Sequence, residues 1–245
     1  MKSLILLLVV FLLFFFLSSA SILKVGIKPE LKGNFSAIFY EAKDGILKLN
    51  LEFFNTGSVA YKARVRLDVL NSSEILFTGW SKEETLMPGE AKNFELFYYS
   101  PETENLTLRL RVYYANEMLE KYLNITLENQ KKPENIFQVK NFRVYDNYIR
   151  FEVKANQSLK VFVIPSNFLP GWVFEQKKLE IKENKNTEVV IPFSYQVWFP
   201  HEIKLEIVSE DGNYYYSNLF YLEKEEGLIK YINQIKDKLS VALNL

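Results

Sequence analysis

Cysteine is absent from this 245-residue chain, which removes disulfide staples, thiolate nucleophiles and cysteine-ligated metals together. Histidine occurs once, as His201. A lone histidine cannot build a multi-histidine metal site, and a serine triad around it would need a G-x-S-x-G turn that the chain lacks. There is no glycine-rich phosphate cradle. Neither is there an excess of charge: thirty basic and thirty acidic residues cancel, so no net field steers the chain to nucleic acid or to an anionic membrane surface. The carboxylate pairs Glu83-Glu84, Glu210-Asp211 and Glu225-Glu226 match neither a glycosidase arrangement nor an EF-hand loop and read as solvated turns. The expectation is a protein that is not an enzyme, carries no cofactor or metal, and binds no nucleic acid.

What the chain does have is apolar substance. Apolar residues make up 48% and aromatics 16%, enough for two cores of ordinary domain size, roughly 100 residues each. Its wealth of Lys, Glu, Ile, Asn and Tyr resembles the usage of AT-rich prokaryotes and many archaea. At the N-terminus Lys2 precedes an unbroken apolar run, Leu4 to Leu17, followed by Ser18-Ser19-Ala20. That is the layout of a signal peptide cleaved before Ser21; extended to Leu23, the run is also long enough for an uncleaved anchor. Both readings put the remainder outside the cytoplasm, secreted or held on the outer face of the membrane by residues 1–20.

Beyond residue 20 the pattern is period two. Leu47, Leu49, Leu51 and Phe53 alternate with polar residues, as do Ala63, Val65, Leu67 and Val69, and Leu106, Leu108, Leu110 and Val112, so each segment is a strand with one buried face. After the polar, proline-bearing stretch 129–134 the alternation resumes at Ile149, Phe151 and Val153 and again at Ile203, Leu205 and Ile207. Short half-buried strands separated by turn clusters predict antiparallel sandwiches. The fold class is all-β: two tandem immunoglobulin-like β-sandwiches over residues 21–128 and 135–223, with residues 129–134 as linker. Over residues 224–245 the period changes: Leu228, Ile232, Ile235, Leu239 and Ala242 recur at helical spacing, predicting a short C-terminal amphipathic helix that docks on its own sandwich, pairs in an oligomer or meets a partner.

Asn55-Thr56-Gly57-Ser58 followed by Leu86-Met87-Pro88-Gly89-Glu90 resembles the turn and corner of CARDB-type domains of prokaryotic surface proteins. Leu169-Pro170-Gly171-Trp172, with Leu179 to Ile181 and the strand ending Val189-Val190-Ile191-Pro192, is similar to the NPCBM-associated sandwiches found beside glycosidase modules, although Lys182 to Asn186 stand where that family has Pro-Gly.

Two residue sets carry the binding expectations. Trp80, Trp172 and Trp198, with the runs Tyr98-Tyr99, Tyr113-Tyr114 and Tyr214 to Tyr216, should fill cores on one strand face and leave rings outside, where they could form a platform for sugar or protein. Five N-x-S/T sequons, at Asn34, Asn71, Asn105, Asn124 and Asn156, exceed the roughly two expected by chance and are glycosylation candidates, a use that requires export. The sequence reading is a surface or secreted protein of adhesive or scaffold modules acting on protein or cell-envelope glycan, or alternatively a carbohydrate-binding accessory protein.

Overall fold

The computed structural model describes residues 29–223. The export segment and the C-terminal stripe of Leu228, Ile232, Ile235, Leu239 and Ala242 lie outside the described residues. Among the described residues there are sixteen strands and no helix. The strands form antiparallel sheets facing one another in pairs, a β-sandwich architecture, and all fall within one compact unit.

In the first sandwich, β1 (Gly33–Lys43), β2 (Ile46–Asn55) and β6 (Ala91–Tyr99) make one sheet in the order β1-β2-β6. It faces β4 (Glu74–Trp80), β3 (Tyr61–Asn71), β7 (Glu104–Tyr114) and β8 (Glu117–Leu127) in that order, with the short β5 (Glu84–Leu86) beside β3. The alternating residues set the register. Leu47, Leu49, Leu51 and Phe53 of β2, Val65, Leu67 and Val69 of β3, and Leu108, Leu110 and Val112 of β7 are all at most 1% exposed in one shared core. A one-residue slip would turn each set out to water.

Asn55 ties the first sandwich's end together. Its Oδ1 accepts the Gly57 N–H at 2.9 Å, closing the turn, while its Nδ2 donates to the Leu86 and Val59 carbonyls at 3.1 and 3.0 Å. The Gly89 N–H donates back to the Asn55 carbonyl at 2.9 Å. Gly89 itself has φ of 77°, the left-handed position that a Pro-Gly type II turn requires. The Asn turn and the Pro-Gly corner are therefore two halves of one hydrogen-bonded unit.

The second sandwich sets β12 (Trp172–Phe174), β14 (Thr187–Tyr195), β10 (Tyr148–Lys154) and β9 (Gln138–Val144) against β13 (Lys177–Ile181), β11 (Leu159–Ser166), β15 (His201–Ser209) and β16 (Tyr215–Leu222). Phe151, Val161, Val163, Ile191, Leu205 and Ile207 are fully buried between them.

Several strands break the alternation, β11 and β6 among them. Val161 to Ser166 of β11 are all buried, and so are Leu96 to Tyr99 of β6. The cause is a third packing layer: Val161 and Val163 belong to the second core, whereas Phe162, Ile164 and Val208, on the opposite face of the same sheet, belong to the first. Tyr98 and Tyr99 consequently are both buried, at 7% and 3% exposure, where the sequence reading expected one ring outside. Tyr98 packs on Phe77 and Tyr99 on Tyr215 of the second sandwich, with ring centroids 5.2 and 4.6 Å apart.

Candidate functional site

The join between the sandwiches is the most elaborately built polar and aromatic site in the described chain. Phe97 and Phe162 stack at 4.2 Å. The ammonium groups of Lys48 and Lys178 stand 5.8 and 5.5 Å from the Phe162 ring centroid, one from each sandwich, and Glu210 draws them together at 3.8 and 2.6 Å. Next to the stack lies Gln176, 8% exposed. Its Oε1 accepts the Phe97 N–H at 2.7 Å and its Nε2 donates to the Phe97 carbonyl at 2.8 Å, while its own N–H donates to the Trp80 carbonyl at 3.2 Å. Gly79 makes room for it, since a Cβ there would fall 2.5 Å from Nε2. On the linker side, the Lys131 ammonium bridges the Asp44 carboxylate at 3.1 Å and the Asp211 carbonyl at 2.5 Å. The Glu134 N–H donates to the Asn213 carbonyl, and the Glu134 carbonyl accepts from Tyr215, both at 2.9 Å. Buried hydrogen bonds at the Gln176 end, solvent-exposed ones at the linker end and the ring contacts between them hold one sandwich on the other.

The outer face of β3 and β7 carries a charged ladder that sequence reading missed. Asp68 is completely buried, yet Arg66 Nε and the Thr78 hydroxyl donate to its Oδ1 at 2.7 and 2.8 Å, and Arg109 and Arg111 reach Oδ2 at 2.9 and 2.6 Å. Burial by itself would raise the carboxyl pKa; the Thr78 hydrogen bond and the Arg66 guanidinium, with Arg111 behind, hold it below the usual carboxylate range. Register explains the arrangement, because Arg66 pairs across from Arg111 and Asp68 from Arg109, so a single carboxylate serves three guanidiniums. The available signal was Arg64, Arg66, Asp68, Arg109 and Arg111 all falling on the polar phase of their strands.

Of the three tryptophans, Trp172 and Trp198 come together, with ring centroids 5.2 Å apart, but Trp172 is 3% exposed and belongs to the second core. Trp80 sits apart on the first sandwich, half-buried beside Tyr113 at 5.5 Å and under the Arg66 guanidinium at 5.5 Å. His201 is buried against Trp172. Its Nδ1 lies 2.9 Å from the Phe199 carbonyl and its Nε2 2.7 Å from the Asn167 amide, so one ring nitrogen donates, the other accepts, and the ring staples two loops. The side chains of those loops that stand out are Phe168, Leu169, Val197 and Phe199.

All five sequon asparagines are exposed. Asn105 and Asn124 interlock across β7 and β8: the Thr126 hydroxyl donates to Asn105 Oδ1 at 2.8 Å and the Thr107 hydroxyl to Asn124 Oδ1 at 2.9 Å. Glu83 and Glu84 meet Lys62 and Lys82, and Glu210 meets Lys178.

These features define an all-β protein whose antiparallel sheets pack as β-sandwiches. No protein-family model and no curated protein matches the chain. Solved structures similar to it include a red sea bream transglutaminase, 12% identical over 80% of this chain and 31% of its own length, TM-score 0.28. Others are a protein of unknown function from Porphyromonas gingivalis W83, 14% identical over 79% of this chain and 99% of that one, TM-score 0.29, and a chaperone–tip adhesion subunit complex of Csu pili from Acinetobacter baumannii, 11% identical over 78% and 100%, TM-score 0.25. The chain spans under a third of the transglutaminase's length.

Proposed function

We propose that the protein is a non-enzymatic extracytoplasmic scaffold, exported or anchored by its N-terminal apolar segment, whose two sandwiches hold a fixed relative geometry at the cell surface for contact with protein or envelope glycan. The observation that carries this reading is the join itself: Phe97, Phe162 and Gln176 are buried between the modules, an investment that a flexible pair of beads would not need. The CARDB-like and NPCBM-like sequence corners and the exposed sequons agree with such a setting. Surface biotinylation of intact source cells tests it. Labelling of the chain in intact cells at the level seen after lysis supports the proposal, and labelling only after lysis removes it.

A second reading, carbohydrate binding, draws on Trp80, which lies with Tyr113, Arg66 and the exposed Tyr122 on an outer sheet face. A glycan-array signal lost in Trp80→Ala, or in Trp198→Ala at the other sandwich, would favour it over a pure scaffold.

A further inference from the structure

Between the sandwiches runs a groove of ≈ 570 Å³ whose walls are two strand edges. β6 terminates the sheet β1-β2-β6 and β13 terminates β13-β11-β15-β16. Residues of both strands line the groove.

At its inner end the Gln176 side chain does what a neighbouring strand would do, accepting the Phe97 N–H and donating to the Phe97 carbonyl at 2.7 and 2.8 Å. In an antiparallel ladder the N–H and C=O of a residue point to the same side and alternate residues share that side. Glu95 and Asn93 therefore present their main-chain groups on the same outer edge as Phe97. Among the described residues no other main-chain hydrogen bond reaches them. Such an edge is a template for one more strand.

Leu179 and Val190, both half-buried, give the groove apolar lining, and Lys82, Glu84 and Glu188 give its rim charges of both signs. We propose that this groove is a β-augmentation site that takes an extended polypeptide segment of a partner protein, added to β6 along Asn93 and Glu95 and continuing the pairing that Gln176 begins. The bound segment alternates apolar side chains toward Leu179 and Val190 with polar or charged ones toward the rim. An oligosaccharide lacks the regular alternation of donors and acceptors that this edge presents. The edge of a second folded copy brings a whole sheet with it, whereas a groove walled on both sides admits a single chain. The proposal concerns the purified chain and stands or falls independently of where the protein resides.

The test is selection of binders from a phage-displayed library of random heptapeptides, followed by measurement with the selected peptides made synthetically. Expected are peptides that slow amide exchange at Asn93 and Glu95 and that lose at least about tenfold in affinity when alternate backbone nitrogens are methylated, the worth of one or two hydrogen bonds. Glu95→Pro removes one edge donor, and proline is tolerated on an edge strand whose N–H faces outward; the same tenfold loss should follow with the melting temperature held. Should that variant unfold, Asn93→Pro and the methylated peptides make the same comparison. The proposal is overturned if no peptide is selected, if affinity survives methylation, or if the protected amides lie elsewhere. Protection of Glu95 that appears without peptide and grows with protein concentration would likewise overturn it, in favour of a second copy as occupant.

Discussion

Replacing Gln176 with leucine removes the amide that closes the join while keeping most of its volume. The Phe97 N–H and carbonyl, held at 2.7 and 2.8 Å in the native chain, lose their partner. Each buried main-chain group left unpaired costs about 1–3 kcal/mol. The groove of ≈ 570 Å³ alongside lets water reach the freed groups, which places the loss in the lowest quarter of the combined range of about 2–6 kcal/mol, at about 2–3 kcal/mol. For a protein of this size each kcal/mol shifts the melting temperature by about 2–4 °C, so calorimetry of Gln176→Leu should show a fall of roughly 4–12 °C. The Trp80 carbonyl bond, made by the Gln176 main chain, remains, so the fold is kept and the join loosens. A melting temperature within about 1 °C of the native value would refute the reasoning, because it would mean that Phe97 gains nothing from the amide.

Phe162→Ala deletes a fully buried ring stacked on Phe97 and should cost about 3–5 kcal/mol, read as a lower denaturant midpoint in chemical unfolding. Asp68 supplies an acid-sensitive contribution. Its folded carboxyl titrates below the unfolded value, so its stabilisation is complete above an unfolded pKa of about 4 and is lost as the pH falls below that. Asp68→Asn should flatten the corresponding part of the stability-versus-pH curve between about pH 4 and pH 2, and at neutral pH should cost about 3–5 kcal/mol by leaving Arg66, Arg109 and Arg111 without their shared carboxylate.

Much of the strand layout was legible because one buried face imposes a strict period of two. Leu47 to Phe53, Ala63 to Val69 and Leu106 to Val112 sit in the first core, and Ile149 to Val153 and Ile203 to Ile207 in the second, on the phase that the alternation assigns. The join was not legible in the same way. Its signal is the failure of alternation at Leu96-Phe97-Tyr98-Tyr99 and Val161-Phe162-Val163-Ile164, which marks strands buried on both faces, but nothing local says which distant strand supplies the cover. Gln176 looks like any polar residue between two short strands until its partner, 79 positions away, is known. The Asp68 ladder was hidden for a related reason: outward polar residues read as solvated until the register of β3 on β7 brings the arginines together. Tryptophan content likewise says nothing of depth, and Trp172 lies in the core whereas Trp80 lies on an outer face.

The central claim is that the two sandwiches form one rigid body. The absence of native cysteine allows two spin labels to be placed without side reactions, one at Lys121→Cys, an exposed position of the edge strand β8, and one at Lys185→Cys in an exposed turn of the second sandwich. Pulsed dipolar spectroscopy should return a single distance distribution no wider than the label linkers impose. A broad or multi-peaked distribution would contradict the account.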